Sequence, residues 1–240
     1  MHLASYQGKV VAITGTRKGL GRSLAVHFLD HGARVFGLGR QTGSIDHPEY
    51  RHLTCDVRDA KSVRAAFQNL GRESSGALHI VVNNSGVLTS QHSFLLPATS
   101  AEEMLMTNLL GPFSVSREAA KLMKRTPGGR IINIGSMAAS LEPAGDSIYA
   151  ASKAGLQTLS NVLAKEFSAF GMTSNTVAVT ALETDMLAQL PRAAIDAVIA
   201  KLPVPRYATE ADVFNVVDFF AAAESSYITA QTIYLGGLHQ

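Results

Sequence analysis

The sequence predicts a single α/β domain, with a seven-stranded, mostly parallel sheet and helices on both of its faces. Short apolar stretches rich in β-branched residues alternate with longer segments of helical pattern, which is typical of βαβ units that feed a parallel sheet. A glycine-rich turn stands between the first such stretch and the first long helical segment. A chain of 240 residues can form one substantial core, and no composition shift marks a second unit, so we expect one domain over residues 1–240.

Seven segments are predicted to form strands because they are short, mostly apolar runs enriched in β-branched residues. In chain order, they are residues 9–14, 34–38, 52–54, 79–83, 130–134, 173–179 and 232–235. Five longer segments between them carry a helical pattern. They are residues 19–31, 59–70, 101–125, 149–170 and 210–223. Between residues 40 and 52, Gly43 and Pro48 interrupt any helical pattern, so we expect this second crossover to be a loop.

The turn after the first predicted strand carries the pattern of a phosphate-binding loop. Glycines let the backbone turn tightly and approach a pyrophosphate, while the N–H groups and the dipole at a helix start attract an anion. Open α/β sheets bind nucleotides at the carboxyl ends of their strands, which disfavours a turn without ligand. We therefore predict a Rossmann-type dinucleotide site that begins with Gly15, Thr16, Arg17, Lys18, Gly19, Leu20 and Gly21.

Cations near the second predicted strand favour NADP(H) as the cofactor. An acidic residue at the end of that strand would bind the adenosine ribose and repel a 2′-phosphate, but the strand is followed by Arg40. The Arg40 guanidinium can bind a phosphate bidentately and stack on adenine, and Lys18 or Arg17 can add a second positive charge. The alternative is that all three are solvated surface cations.

A tyrosine and a lysine four residues apart point to proton transfer. On a helix, Tyr149 and Lys153 would share one face, and a neighbouring cation lowers the pKa of a phenol from about 10 towards neutrality. Together with Ser136, thirteen residues before Tyr149, the pair is predicted to donate a proton in carbonyl reduction. Taken alone, the spacing is weak evidence and favours an ordinary tyrosine on a surface helix.

Composition excludes several other classes of protein. With 46% hydrophobic and 17% charged residues the chain is not disordered, and its apolar runs are too short to span a bilayer. A net charge of +2 without a Lys/Arg run gives no case for nucleic acid, and the eight scattered histidines give none for a metal. Cys55 is the single cysteine and no secretory signal is evident, so we expect a cytoplasmic protein.

Several motifs together resemble the short-chain dehydrogenase/reductase family across essentially the whole chain. They are Thr14-Gly15-x-x-x-Gly19-x-Gly21, Asn83-Asn84-Ser85-Gly86, Asn108, Ser136 and Tyr149-x-x-x-Lys153. Their order and spacing, with the closing stretch 227–237, look most like the 3-oxoacyl-acyl-carrier-protein reductase branch. The resemblance implies an NADPH-dependent ketoreductase that acts in biosynthesis, and a homo-oligomer, a tetramer or a dimer, built on the long helices that begin at Ala101 and Tyr149.

The resemblance also implies roles for individual residues. Ser136 would hydrogen-bond the substrate oxygen, Tyr149 would act as general acid in reduction and general base in oxidation, and Lys153 would bind the nicotinamide ribose. Asn108 would anchor a water that relays protons from Lys153. Read without the family, Asn108 is a polar residue in an apolar stretch that needs a hydrogen-bond partner, which is compatible with a purely structural role.

Further cofactor contacts are implied beyond the glycine loop. Asp56 and Val57 would hold the adenine, and Asn83 would stabilise the sheet beside the cofactor. Asp56 and Asn83 could instead satisfy backbone groups of a turn after a strand. The other implied cofactor contacts are Ser85, Gly86 and Thr184.

The sequence departs from the family pattern at four places. Val179-Thr180 stands where Pro-Gly is usual beside the nicotinamide, and neither residue reproduces that backbone. Ser85 replaces an alanine and adds a hydroxyl that must find a partner, and the second crossover lacks its helix. Phe170 replaces an arginine that helps to hold the acidic carrier protein, and of that pair only Arg130 remains.

The prediction is therefore an NADPH-dependent oxidoreductase that reduces a ketone to a secondary alcohol. The substrate is a 3-oxoacyl thioester, another carrier-bound intermediate or a free carbonyl compound. An alcohol dehydrogenase acting on a small secondary metabolite and a non-catalytic NADP(H)-sensing protein are the alternatives. The segment 187–207 is expected to form the substrate lid, although its apolar residues would also fit core packing.

Overall fold

The computed structural model describes residues 5–41, 43, 45–182 and 192–237, and it contains one sheet of seven parallel strands. The strand order is β3-β2-β1-β4-β5-β6-β7. The strands are β1 (Val10–Thr14), β2 (Arg34–Gly39), β3 (Tyr50–Thr54), β4 (Ile80–Asn83), β5 (Arg130–Ser136), β6 (Thr173–Val179) and β7 (Thr232–Tyr234). The predicted doubly wound α/β fold is confirmed, and the predicted strands fall at the observed positions with shifts of one or two residues at some ends.

Helices cover both faces of the sheet. They are α1 (Gly19–Asp30), α2 (Ala60–Glu73), α3 (Ala98–Leu105), α4 (Gly111–Met123), α5 (Ala138–Leu141), α6 (Ser147–Phe167), α7 (Arg192–Ile199) and α8 (Glu210–Ala221). The described residues between β2 and β3 contain no helix, so the second crossover is a loop there, as predicted. None of the helices in the described ranges combines the length and apolarity that crossing a bilayer requires.

Two hydrophobic clusters lie on opposite sides of the sheet because successive strand residues point to opposite faces. On one side, Val11 and Ile13 of β1 join a cluster that includes Phe28 of α1 and Phe220 of α8. On the other side, Val10 and Ala12 of β1, with residues of α2 and α4, form the second. Both faces of β1 are therefore buried, which explains why its sequence is a continuous apolar run.

The predicted helix 101–125 is wrong as a single element. A π-helical turn, Met106–Leu110, separates α3 from α4. Pro112, in the first turn of α4, has no N–H group and its ring crowds the preceding turn, so the regular hydrogen-bond ladder cannot pass through. The Gly111-Pro112 pair was the sequence signal for this break. The predicted helix 149–170 begins two residues earlier and closes with a 3₁₀ turn at Ser168–Phe170.

Gly37 in β2 is expected to tolerate no side chain. A Cβ atom there would lie 2.1 Å from the Tyr50 hydroxyl and 2.3 Å from Thr16 Oγ1, two atoms that share a buried 2.8 Å hydrogen bond. We expect Gly37→Ala to lower the free energy of unfolding by about 1–3 kcal/mol, measured by urea denaturation. Gly39→Ala in the same strand is the matched control because the nearest atom to its Cβ position is 3.6 Å away. An equal loss of stability in both variants would contradict this explanation.

Candidate active site

The carboxyl ends of β1, β4, β5 and β6 open onto one cleft of about 1170 Å³. Most of the predicted site residues line it: Gly15, Arg17, Lys18, Gly19, Leu20, Gly21, Arg40, Asp56, Val57, Ser85, Gly86, Ser136, Tyr149 and Lys153. The side chains of Thr16, Asn83 and Asn108 are instead buried behind the wall of the cleft. Thr184 lies outside the described residues. The structure thus brings the glycine loop and the Ser-Tyr-Lys group to the same cavity.

The glycine loop has the geometry of an anion cradle. A Cβ atom at Gly21 would lie 2.4 Å from the Gly15 carbonyl oxygen, so only glycine lets the helix start so close to the loop. Gly15 and Gly19 adopt φ values of 78° and 56°, in the region that favours glycine. The first turn of α1 carries no acidic residue, and the side chain of its N-cap residue, Lys18, makes no capping hydrogen bond. Its N–H groups are therefore available to a pyrophosphate, which these residues fit.

Two residues that sequence reasoning did not assign to the site hold this loop in place. The N–H groups of Asn84 and Ser85 both donate to Thr14 Oγ1 at 2.9 Å, and Asn84 Nδ2 donates to the Thr14 carbonyl oxygen at 2.9 Å. These bonds connect the ends of β1 and β4, which form one wall of the cleft. A threonine directly before the first glycine and the paired asparagines after β4 were the available signals.

The end of the cleft that is lined by residues following β2 and β3 carries a pair of charges that the sequence did not predict. The Arg58 side chain holds the Asp56 carboxylate with three hydrogen bonds, from Nη2 to Oδ2 at 2.7 Å, from Nε to Oδ1 at 3.0 Å and from Nε to Oδ2 at 3.2 Å. The hydrogen bonds from Arg58 hold the pKa of the Asp56 carboxyl below its usual value. Arg40 is exposed and also lines the cleft, where its charge helps to lower the pKa of the Asp56 carboxyl, and the Arg17 guanidinium donates to the side chain of Gln41. The role of Asp56 in holding adenine stays a prediction, since its carboxylate already has this partner.

Asn83 lies one layer deeper than the cofactor cleft. Its side-chain amide is buried and donates to Ser116 Oγ at 3.0 Å and to Asn133 Oδ1 at 2.8 Å. The Asn133 amide in turn contacts Ser160 Oγ at 3.1 Å. This polar network joins β4 and β5 to the helices that cover them. Because its members hydrogen-bond to one another, most of their polar atoms have a partner although they lie in an apolar layer.

Tyr149 occupies the first turn of α6 and faces the end of β5, where Ser136 lies. Burial raises the pKa of the Tyr149 phenol above its ordinary value, a hydrogen bond with Ser136 opposes that rise, and the negative charge of Asp146 adds to it. The spacing had predicted a pKa lowered by Lys153. Desolvation outweighs the expected effect of the lysine, because the phenol is enclosed by the fold, a property that the local sequence does not carry.

Lys153 lies on the same face of α6 as Tyr149, as the spacing of four residues predicts. Its Nζ atom is 5.9 Å from the centroid of the Tyr149 ring and donates to the Ile134 carbonyl oxygen at 2.9 Å. Burial lowers the pKa of the Lys153 ammonium to about 8. The ammonium is thus directed into the cleft between β5 and α6, beside Gly86, whose Cβ position is 3.6 Å from Nζ.

Asn108 lies in the π-helical turn between α3 and α4 and is fully buried. Its Oδ1 atom accepts from the Val87 N–H at 2.9 Å, and its Nδ2 atom donates to the Val87 carbonyl oxygen at 2.9 Å and to Ser152 Oγ at 3.1 Å. The amide thereby fixes the segment after β4 against α6. This is the structural role that the sequence left open, while the role of anchoring a water stays a prediction.

The substrate side of the cleft contains the largest departure from the family pattern. Val179 and Thr180 both line the cavity at the end of β6, and the Val179 carbonyl oxygen accepts from the Met137 N–H at 3.0 Å. In the described part of the expected lid, Ile195 and Val198 line the cleft. Ile199 and Leu202 are buried in the body of the protein, and residues 187–191 lie outside the described ranges. The apolar stripe of this segment thus divides between the cavity and the core.

Arg130 does not offer its charge to a partner surface. Its guanidinium is buried, which lowers its pKa, and it donates to the carbonyl oxygens of Gly128 at 2.9 Å and of Ala222 and Ala223 at 3.3 Å. Phe170, at the other position of the pair, is exposed and contacts Lys124, whose Nζ atom lies 4.1 Å from the ring centroid. Neither position therefore presents an arginine to an acidic carrier.

Comparison with known proteins shows that the chain is similar to one family of oxidoreductases over nearly its whole length. Residues 9–194 match the family model described as short chain dehydrogenase. The 3-oxoacyl-acyl-carrier-protein reductase of Salmonella typhimurium is 32% identical over 239 residues, covering 97% of this chain and 98% of its own. The corresponding reductase of Escherichia coli is 30% identical with the same coverage. Among solved structures, the aldohexose dehydrogenase of Thermoplasma acidophilum superimposes with a TM-score of 0.89 at 26% identity, covering 98% of this chain and 96% of that chain.

Proposed function

Since this chain belongs to the short-chain dehydrogenase family of nicotinamide-dependent oxidoreductases, we propose that it reduces a ketone to a secondary alcohol with NADPH. One observation carries the proposal. Ser136, Tyr149 and Lys153 meet at the same cleft as a glycine loop that fits a pyrophosphate. A pocket with a dinucleotide cradle at one end and a proton donor at the other is suited to hydride transfer coupled to proton transfer.

The chain's own residues account for the proton side of the reaction. When bound, the dinucleotide supplies the hydride. The Ser136 and Tyr149 hydroxyls would both donate hydrogen bonds to the carbonyl oxygen, and Tyr149 would deliver its proton as negative charge develops there. The raised pKa leaves the Tyr149 phenol protonated at neutral pH, which is the form that donates the proton in reduction. Lys153 would bind the nicotinamide ribose with the N–H groups that it does not give to Ile134.

The preference for NADP(H) rests on Arg40. It is exposed at the end of β2, lines the cleft and stands where a carboxylate would repel the 2′-phosphate. We expect Arg40→Gln to raise the KM for NADPH about tenfold and to leave the KM for NADH little changed, because a charge-assisted phosphate contact is lost. Steady-state kinetics with both cofactors would measure this. Arg64→Gln removes an exposed cation of α2 outside the cleft and is the control. Equal effects on NADPH and NADH would contradict the assignment.

The substrate is either free or attached to a carrier. The similar reductases of Salmonella typhimurium and Escherichia coli are 3-oxoacyl-acyl-carrier-protein reductases by name, which favours a carrier-bound 3-oxo thioester. The buried Arg130 and the exposed Phe170 favour a free carbonyl compound instead, as does the likeness to an aldohexose dehydrogenase. An alcohol dehydrogenase would use the same residues in reverse. The Val179-Thr180 pair is the feature that favours a non-catalytic NADP(H) sensor.

The proposed function is tested by measuring the decrease in NADPH absorbance with a 3-oxoacyl thioester mimic and with a panel of simple ketones. The same assays are repeated with NADH. Turnover with NADPH on at least one ketone is the expected result. A higher kcat/KM on the alcohol side would favour the dehydrogenase. Tight NADPH binding without turnover on any carbonyl would favour the sensor and direct attention to Val179-Thr180.

We also propose a homo-oligomer, a tetramer or a dimer, formed through α3, α4 and α6. Large apolar side chains are exposed on these helices and on the π-helical turn between α3 and α4, namely Leu105, Leu110, Phe113 and Val162. Burial of such side chains against a second copy would be favourable. Light scattering should therefore give a mass that is a multiple of 25.5 kDa. A mass of one chain at micromolar concentration would contradict this proposal.

We propose that residues 187–207 cover the substrate as a lid, which the position of Ile195 and Val198 in the cleft wall supports.

We also propose that the protein is cytoplasmic, since a free thiol persists in that compartment. Cys55 is such a thiol, and burial raises its pKa to about 11, which makes it unreactive.

A further inference from the structure

Asp146 is an acidic residue of the cleft to which neither the sequence motifs nor the proposed mechanism gives a role. It stands three residues before Tyr149 and lines the cavity together with Ser136 and Tyr149. Its side chain is buried, with the residue only 8% exposed. Its Oδ1 atom is sealed from solvent, and no N–H or O–H group of the described residues bonds to it.

The unpaired oxygen does not follow from the position of Asp146 at the start of a helix. An aspartate or threonine there normally accepts from an N–H group of the first turn. In this protein Asp59 accepts from the Lys61 N–H at 2.9 Å, and Thr209 accepts from the Asp212 N–H at 3.3 Å. Asp146 also precedes its helix, α6, but its side chain makes no such bond. The carboxylate is thus turned away from the helix that it begins.

Such an arrangement is unfavourable unless a further donor completes it. Leaving a buried polar group without a partner costs about 1–3 kcal/mol, and more when the group is charged. In an apolar core, a neutral side chain in place of the aspartate would remove this cost. At the wall of a substrate cleft, a donor brought by the ligand cannot reach the sealed Oδ1 atom but can reach Oδ2. It would stabilise the charge that the two carboxylate oxygens share and make binding selective for ligands that carry the donor.

Asp146 lies beside the reacting centre, because it directly precedes the helical turn that carries Tyr149 and lines the same cleft as Ser136. Its charge acts on the Tyr149 phenol, whose proton would go to the carbonyl oxygen. A substituent on the carbon next to that carbonyl would therefore lie near Asp146. Pro143 and Ala144, which also line this part of the cleft, have no side-chain polar group to compete for it.

We propose that Asp146 is a specificity-determining residue that accepts a hydrogen bond from a hydroxyl group of the substrate next to the reacting carbonyl. The substrate class is then the α-hydroxy ketones, with vicinal diols as products. A 3-oxoacyl thioester has no such donor on the carbons beside its ketone, so Asp146 would disfavour it. This inference rests on the proposed ketone reduction and narrows its substrate.

The test compares two ketones that differ in one group. In 1-hydroxy-2-butanone a hydroxyl replaces one terminal methyl of 3-pentanone, so size and carbonyl position are matched. For the wild-type protein with NADPH, we expect kcat/KM to be about tenfold to a hundredfold higher for the hydroxy ketone. In Asp146→Leu, which has no acceptor, this ratio should fall about tenfold or more, and in Asp146→Asn, whose amide oxygen is a neutral acceptor, it should fall less. The ratio cancels any change in Tyr149 or in folding that affects both substrates equally.

Three results would overturn the inference. A wild-type ratio near one would show that the cleft does not select the hydroxyl. A high ratio that Asp146→Leu leaves unchanged would assign the selection to another residue or to the greater electrophilicity that the hydroxyl group gives the carbonyl. If neither ketone is turned over, calorimetry with the NADP⁺ complex decides, because 1,2-butanediol should bind more tightly than 3-pentanol to wild type and not to Asp146→Leu. Equal or undetectable binding of both alcohols would overturn it, whereas turnover of ketones outside this pair would leave the proposed reductase function intact.

Discussion

Replacing Tyr149 by phenylalanine is expected to lower kcat for ketone reduction by about 10²- to 10⁴-fold, the range that a positioned general acid contributes. The change removes a single oxygen atom from a side chain that is about nine-tenths buried and lies in the first turn of α6. The ring, its packing and the helix are kept, so NADPH binding should change little. The defect should therefore appear in kcat rather than in the KM for the cofactor.

The measurement is steady-state NADPH oxidation with the best ketone of the panel, together with fluorescence titration of NADPH. Tyr227→Phe is the control because that side chain is 99% exposed and lies outside the cleft. A Tyr149→Phe enzyme that keeps turnover within about threefold of wild type would exclude Tyr149 as the acid. It would also remove the main support for the proposed function.

Replacing Lys153 by methionine is expected to lower turnover by about 10²-fold or more while making the protein more stable. The loss of activity follows from the missing ribose contact and the missing positive charge beside Tyr149. The gain in stability follows from the pKa of Lys153, which burial lowers from 10.5 to about 8. A depression of that size corresponds to about 3 kcal/mol of unfavourable ionisation at pH 7, partly offset by the hydrogen bond to Ile134.

The difference in free energy of unfolding between Lys153→Met and wild type should depend on pH, and this dependence identifies its cause. Below pH 8 the ammonium is charged in both the folded and the unfolded chain, so its full cost is present. Between about pH 8 and 10.5 the folded protein holds the neutral amine while the unfolded chain stays charged, so the stability of wild type rises towards that of the variant. Above that window the two should converge.

Chemical denaturation of wild type and Lys153→Met without cofactor, at several pH values, measures this difference. Lys165→Met is the control, since Lys165 is an exposed residue of the same helix. Comparing each variant with wild type at the same pH cancels other titrations, such as that of Cys55. A Lys153→Met protein that is less stable than wild type at pH 7 would show that the hydrogen bond to Ile134 outweighs the cost of burying the charge.

The parts of the fold that the sequence predicted are those that local pattern determines. Continuous apolar runs identified the strands because parallel strands are buried on both faces. Gly43 and Pro48 identified the second crossover as a loop, and the glycine spacing located the cradle before α1. The relative positions of Tyr149 and Lys153 followed from helical geometry alone.

The parts that it missed depend on contacts between distant residues. The pKa of Tyr149 rises because other elements enclose it, and no spacing carries that information. The contact of Arg58 with Glu103 and the bridge made by Asn108 likewise join residues that are far apart in the chain. The break between α3 and α4 is different, because Gly111-Pro112 carried the signal and the apolar pattern across it masked the break.

The strand order has a consequence for how the chain is made on the ribosome. In the order β3-β2-β1-β4-β5-β6-β7, each strand after the first lies beside a strand that is earlier in the chain. The three N-terminal strands extend the sheet in one direction, and β4 then returns to the open side of β1 and starts growth in the other direction. No strand must wait for a partner that has not yet been synthesised. The sheet can therefore assemble during translation by simple addition at an existing edge, which limits the time that unpaired edges stay exposed to other nascent chains.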